Sequence, residues 1–102
     1  MNKEEKEFNF PKNLIKTSIF ERILNDLGIT KSEYCTMRGD FSRTWFYTVL
    51  RKRGYLNHQD IKTILNPENT SVSINEFTDL CLKYGVNFDA NAFMENENEK
   101  EA

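Results

Sequence analysis

Three side chains recur at every fourth position in the middle of the chain: Arg43, Tyr47 and Arg51. On a helix this spacing lines them along one face over about 12 Å, at roughly 1.5 Å of rise per residue. A DNA major groove about 12 Å wide admits such a helix, and an arginine fork pairs in bidentate fashion with guanine O6 and N7. Thr44 and Thr48 share the exposed side and suit a thymine methyl or a phosphate. Arg51-Lys52-Arg53, at the end of the segment, suits phosphates, which gives affinity without reading sequence. The same stretch holds Trp45-Phe46-Tyr47, a heavy aromatic load for a face that reads bases. A second arrangement therefore stays open, in which this helix is partly occupied by packing or by a dimer contact. Binding then falls to the polar set Lys62, Thr63, Asn66, Asn69, Thr70 and Ser71, with the basic segment Lys12, Asn13 and Lys16. Short polar side chains on a narrow hairpin suit a minor groove.

For catalysis the chain offers little. It has one histidine, no glycine-rich phosphate loop, no Gly-x-Ser-x-Gly elbow and no His-Glu-x-x-His pair. Its acidic residues fall mostly at helix starts, on helix faces and in the tails, so no catalytic residue is expected and the chain reads as a non-enzyme. Cys35 and Cys81 stand alone, and with His58 they are too few for a structural zinc site. They read as buried thiols of a reducing compartment, with no metal and no cofactor expected.

The formal net charge of −2 argues against a nucleic-acid partner until its distribution is considered. From Lys12 to Ile64 ten bases face five acids, a local balance of +5. From Asp89 to Ala102 five acids face Lys100, a balance of −4. A basic body with an acidic tail fits a DNA-binding domain better than the total does. The 102 residues, 38% hydrophobic and 29% charged, suit one domain with one core. No apolar run approaches the roughly 20 residues of a membrane span, and the charged start lacks the apolar stretch of a secretory signal. A cytoplasmic location without membrane contact is expected.

The elements that must position these residues follow from capping and periodicity. Ser18-x-x-Glu21 has capping-box spacing, followed by Ile19, Phe20, Ile23, Leu24 and Leu27 on one helical face and a stop at Gly28. Thr30-x-x-Glu33 opens a short second helix ending at Gly39. Asp40 or Ser42 caps a third, with Trp45, Phe46, Val49 and Leu50 inward and Gly54 after it. The stretches 60–65 and 70–74 are rich in β-branched residues around the turn Asn66-Pro67-Glu68-Asn69, which predicts a β-hairpin. A fourth helix over His58 to Leu65, as in Cro-like repressors, is the alternative, and the hairpin is preferred because the residues on both sides of the turn agree. Ser73-x-x-Glu76 starts a last helix with Phe77, Leu80, Cys81 and Tyr84 on one face. The fold class is therefore α+β, mainly α: a winged helix-turn-helix with a three-helix core, a β-hairpin wing and a C-terminal helix. The boundaries are an N-terminal arm at 1–11, partly disordered, the domain at 12–88 and an acidic, disordered tail at 89–102.

Over residues 12–88 this order resembles the winged helix-turn-helix superfamily. Within it, the short length and the segment ITKSEYCTMRGDFSRTWFYTVLRKRG are similar to plasmid-encoded accessory DNA-binding proteins of clostridial relaxosomes. The resemblance implies a homodimer bound to repeats in double-stranded DNA at an origin of transfer, assisting a relaxase rather than cutting DNA. A phage- or plasmid-type transcriptional repressor is the alternative, and a winged-helix module for protein–protein contact is another. The apolar segment Val86 to Met94 either supplies a dimer contact or covers its own core.

Overall fold

Ile19, Phe20, Ile23, Leu24 and Leu27 recur at helical spacing, and in the computed structural model, which describes residues 14–101, they lie along α1 (Thr17–Leu27). Gly28 ends α1 at φ 74°, a left-handed conformation that costs a residue without Cβ little. The Ser18–Glu21 capping box does not form. Lys16 is the N-cap, Thr17 donates its hydroxyl to the Leu50 carbonyl at 3.0 Å, and Glu21 is engaged elsewhere. α2 (Lys31–Gly39) does open with the expected box. Thr30 Oγ1 accepts from the Glu33 amide at 3.0 Å, and the Glu33 carboxylate accepts from the Thr30 amide at 2.8 Å.

After a three-residue turn, α3 begins at Ser42 as N-cap, runs as an α-helix over Arg43–Trp45 and continues as a π-helical segment over Phe46–Arg51. Thr48 Oγ1 donates to the Thr44 carbonyl at 3.0 Å, a bond to the i−4 acceptor of the kind that bends helices. Phe46 and Leu50 point into the core and Trp45 packs partly buried against it, while Val49, expected inward, is exposed. Past Gly54 the chain turns back beside the start of α1. The Thr17 amide donates to the Gly54 carbonyl at 3.0 Å and the Leu56 amide to the Ile15 carbonyl at 2.9 Å.

The expected wing is absent, and the α+β class with it. No β-strand occurs among the described residues, whose one sheet-like contact is an isolated antiparallel bridge between Lys16 and Tyr55. The first presumed strand lies instead in α4 (His58–Leu65), the helix held as the alternative. A capping box decides the matter locally: Asn57 Oδ1 accepts from the Asp60 amide at 2.9 Å and Asp60 Oδ2 from the Asn57 amide at 2.8 Å. Behind it Ile61, Ile64 and Leu65 fall at i, i+3 and i+4, so their apolar surface is buried by a helical period rather than by alternation. The Asn66-Pro67-Glu68-Asn69 turn forms, but it joins α4 to α5 (Ile74–Lys83) rather than two strands.

α5 is capped by Ser73 Oγ accepting from the Glu76 amide at 3.0 Å, and it buries Phe77 and Cys81. The acidic stretch that follows contains α6 (Ala90–Glu101), anchored by Phe93, which is buried beside Phe88 and stacks on His58. One core runs through the helices: Phe20, Ile23 and Leu24 from α1, Tyr34 and Cys35 from α2, Phe46 and Leu50 from α3, Ile61 and Ile64 from α4, and Phe77 and Cys81 from α5. Phe88 and Phe93 thus cover the molecule's own core, while Met94 stays exposed. No described helix is long and apolar enough to cross a membrane. The proposed N-terminal arm lies outside the described residues, as do Lys12 and Asn13.

Candidate nucleic-acid interface

Because Phe46 and Leu50 hold α3 by its inner side, three rows of side chains remain available on it. Thr44, Thr48 and Lys52 are exposed, and Lys52 forms no ion pair with a described residue. Arg43, Tyr47 and Arg51 make the row toward α1. Arg43 donates from Nη2 to the Tyr47 hydroxyl at 3.1 Å, and the Arg51 guanidinium lies 4.6 Å from the Tyr47 ring centre. The phenol thus works as a rail against which both guanidiniums rest. Phe41, from the turn before α3, and Trp45 and Val49 on it make the third row. Phe41 stacks on Trp45 with centroids 4.8 Å apart, the Arg38 guanidinium sits 5.5 Å from the Trp45 ring, and Val49 is exposed. Close packing at the turn supports the stack, since a Cβ on Gly39 would come within 2.6 Å of the Phe41 ring.

The three basic residues at the end of α3 have different fates. Arg51 forms a fork on Glu21 of α1, with Nε to Oε2 at 3.0 Å and Nη2 to Oε1 at 2.7 Å, and Lys31 Nζ stands 3.7 Å from the same carboxylate. The hydrogen bonds from Arg51, helped by its charge and that of Lys31, hold the Glu21 carboxyl below its ordinary range. Arg53 turns inward. It pairs with the fully buried Asp60 and donates from Nε to the Tyr55 carbonyl at 2.9 Å. Asp60 also takes Arg38 Nε at 2.8 Å, and its carbonyl accepts from the Tyr34 hydroxyl at 2.8 Å. α2, the end of α3 and the start of α4 are therefore clamped at one carboxylate, which fixes how α3 is presented. Arg53, expected to hold phosphate, belongs to this clamp.

Glu21 and Arg51 border an open trough of about 840 Å³ that Lys16, Arg22, Lys31 and Tyr84 also line. The adjoining hollow is bordered by Lys31, Ser32 and Arg43, so the cations of α1, α2 and α3 follow one another along one side. Of the second set of candidates, Lys16 alone among the described residues is brought to this side. Lys62 is exposed on α4, and Thr63 is buried there with its hydroxyl on the Gln59 carbonyl at 2.8 Å. Asn66, Asn69 and Thr70 serve the connection itself. Asn66 Oδ1 accepts from the Glu68 amide, Asn69 Nδ2 donates to the Thr63 carbonyl, and Thr70 Oγ1 donates to the Ile64 carbonyl at 2.7 Å. Asn69, Thr70 and Ser71 line a different hollow, with Ile29, Glu33 and Met37.

The reading from sequence missed Glu21, Arg22 and Lys31. Each has an ordinary helix-surface role locally, and only the approach of α1, α2 and α3 joins them. Cys35 and Cys81 are buried, and burial pushes the Cys81 thiol up to about 12. No group of three His, Cys, Asp or Glu side chains able to hold a metal gathers among the described residues. Compared with known proteins, the chain matches no protein-family description, no curated protein and no solved structure.

Proposed function

We propose that this protein binds double-stranded DNA through α2, the turn and α3. The observation that carries the reading is the convergence of Lys16, Arg22, Lys31, Arg43 and Arg51 along one side of α3, next to the exposed row Thr44, Thr48 and Lys52. In this reading the start of α3 enters a major groove, where Arg43, Thr44, Tyr47 and Thr48 meet base edges. Lys16, Arg22, Lys31, Arg51 and Lys52 follow the neighbouring backbone. One copy with five to eight basic contacts binds weakly at physiological salt, so a homodimer on paired half-sites completes the proposal. The biological setting is either an origin of transfer, where the protein assists a relaxase, or a promoter, where it represses. The helix α4 in place of a wing favours the repressor setting, because a fourth helix over His58 to Leu65 is the arrangement expected of Cro-like repressors.

A second reading is favoured by one observation. The row Phe41, Trp45 and Val49 leaves apolar surface exposed on the same helix and the turn before it, with Phe41 at 37% and Val49 at 39%, as a protein-contact module has. Selection of bound duplexes from a random-sequence pool separates the two, since DNA readout enriches a common motif and a protein-contact module enriches none. On the selected site, Arg43→Ala with Lys52→Ala weakens binding about tenfold or more, as loss of one base and one phosphate contact requires. Lys62→Ala with Asn69→Ala changes it less than about twofold, being remote from the groove-facing row. Weakening by the second pair alone contradicts the reading.

A further inference from the structure

Within the basic trough one side chain has the wrong sign. Glu21 stands among Lys16, Arg22, Lys31 and Arg51, in the lining that a bound polyanion would contact. It does not cap α1, as its spacing from Ser18 suggested, and instead offers both carboxylate oxygens to the fork of Arg51. Carboxylate and phosphate present that fork with the same paired acceptors. One carboxylate cannot neutralise four cations, so the trough keeps a positive excess with Glu21 in place. Exposure decides whether the pair can be exchanged. Arg51 is 51% exposed and Glu21 19%, whereas the Asp60 carboxylate beneath Arg38 and Arg53 is 0% exposed. Exposed ion pairs hold little net free energy, while breaking a fully buried one leaves an uncompensated charge. The first pair is built to be given up and the second is not.

We infer that Glu21 is an internal stand-in for a DNA backbone phosphate, which holds Arg51 and Lys31 in the free protein and releases them to the incoming strand. The inference rests on the DNA-binding reading above and adds a regulatory element to the same site. Competition from Glu21 weakens every encounter by the strength of the internal pair. A phosphate brought to Arg51 by any duplex offsets part of that loss, because it presents the fork with the same paired acceptors. Glu21 thus acts as a positioning residue, which holds Arg51 ready in the free protein and lowers the affinity for the backbone.

The test compares the wild-type chain with Glu21→Gln on a labelled random-sequence duplex of about 20 base pairs, by anisotropy over a range of KCl concentrations. Glu21→Gln binds about two- to fivefold more tightly, the factor an exposed ion pair accounts for. Its log–log salt slope stays close to that of wild type, because Arg51 meets the same phosphate in both proteins. Asp79→Asn, which makes the same change of net charge at an exposed position on α5, gains clearly less. With Arg51→Gln in the background, the gain from Glu21→Gln shrinks. A folded Glu21→Gln protein that binds no better than wild type overturns the inference and leaves DNA binding standing. Failure of the wild-type chain to bind the duplex at all overturns both. A readout on the native chain does not depend on any variant folding: on addition of duplex, the NMR signal of the Arg51 side-chain Nε–H moves while those of Arg38 and Arg53 stay. An Arg51 signal unchanged at saturating duplex contradicts the exchange.

Discussion

At the scale of single residues, Asp60 carries more of the structure than any residue that faces solvent. Its side chain is fully buried, accepts from Arg38, Arg53 and the Asn57 amide, and has the Tyr34 hydroxyl on its own carbonyl. Removing one partner of a buried pair typically costs 3–5 kcal/mol. Arg38 and Arg53 keep some access to water, at 18% and 25%, and can turn partly outward. Asp60→Asn is therefore expected at the low end, about 3 kcal/mol in urea denaturation. A loss below about 1 kcal/mol, the size of an ordinary surface pair, contradicts the clamp. None of this was legible in sequence. Arg38 lies 22 positions and Arg53 seven positions from Asp60, and each looked like surface charge on its own helix. The row of Arg43, Tyr47 and Arg51 was legible because it is local, repeating at a helical interval within nine residues. What the row could not reveal was that Arg51 already has a partner on α1, thirty positions away.

At the scale of elements, caps and glycines spoke for themselves where one local signal acted alone. Thr30–Glu33 and Gly28 behave as their chemistry requires. Signals failed where two local rules competed. Ile61, Thr63 and Ile64 have strand propensity, yet the Asn57–Asp60 box and the i, i+3, i+4 spacing of Ile61, Ile64 and Leu65 make a helix, with the core of α2 as the surface that rewards it. Strand propensity describes fit to a pleated surface, and no partner strand is present among the described residues to provide one. Likewise Ser18 and Glu21 have box spacing, but the bidentate fork from Arg51 is a stronger use of the carboxylate than one backbone amide. A matched pair of substitutions checks this. Thr30→Ala lowers stability by about 1 kcal/mol, the usual worth of an N-cap, whereas Ser18→Ala changes it by less than about 0.5 kcal/mol. Equal losses at both positions contradict the assignment of caps.

At the scale of the whole molecule, the pairing of carboxylates with cations ties stability to pH, and the basic side of α3 ties binding to salt. Glu21 is held below its ordinary value of 4.5 by hydrogen bonds from Arg51, and Asp26 below 3.8 by the Tyr84 hydroxyl and Lys83. A lowered carboxylate stabilises the fold fully above its unfolded value, and that contribution is lost as pH falls through the folded one. The thermal midpoint is therefore flat from about pH 5 to 7 and declines below about pH 4.5. Replacing Glu21 and Asp26 by Gln and Asn shallows the decline, and an unchanged acid limb in that double variant contradicts the assignment. The basic side of α3 predicts the response to salt. The most direct measurement is a titration of the wild-type protein against its selected duplex at several KCl concentrations. Neutralising about five phosphates per copy predicts a log–log slope near −4.5 for one copy on a half-site and about twice that for the dimer on paired half-sites. Affinity that ignores salt, or no binding at micromolar protein, contradicts the claim that α3 and its trough are a DNA-binding surface.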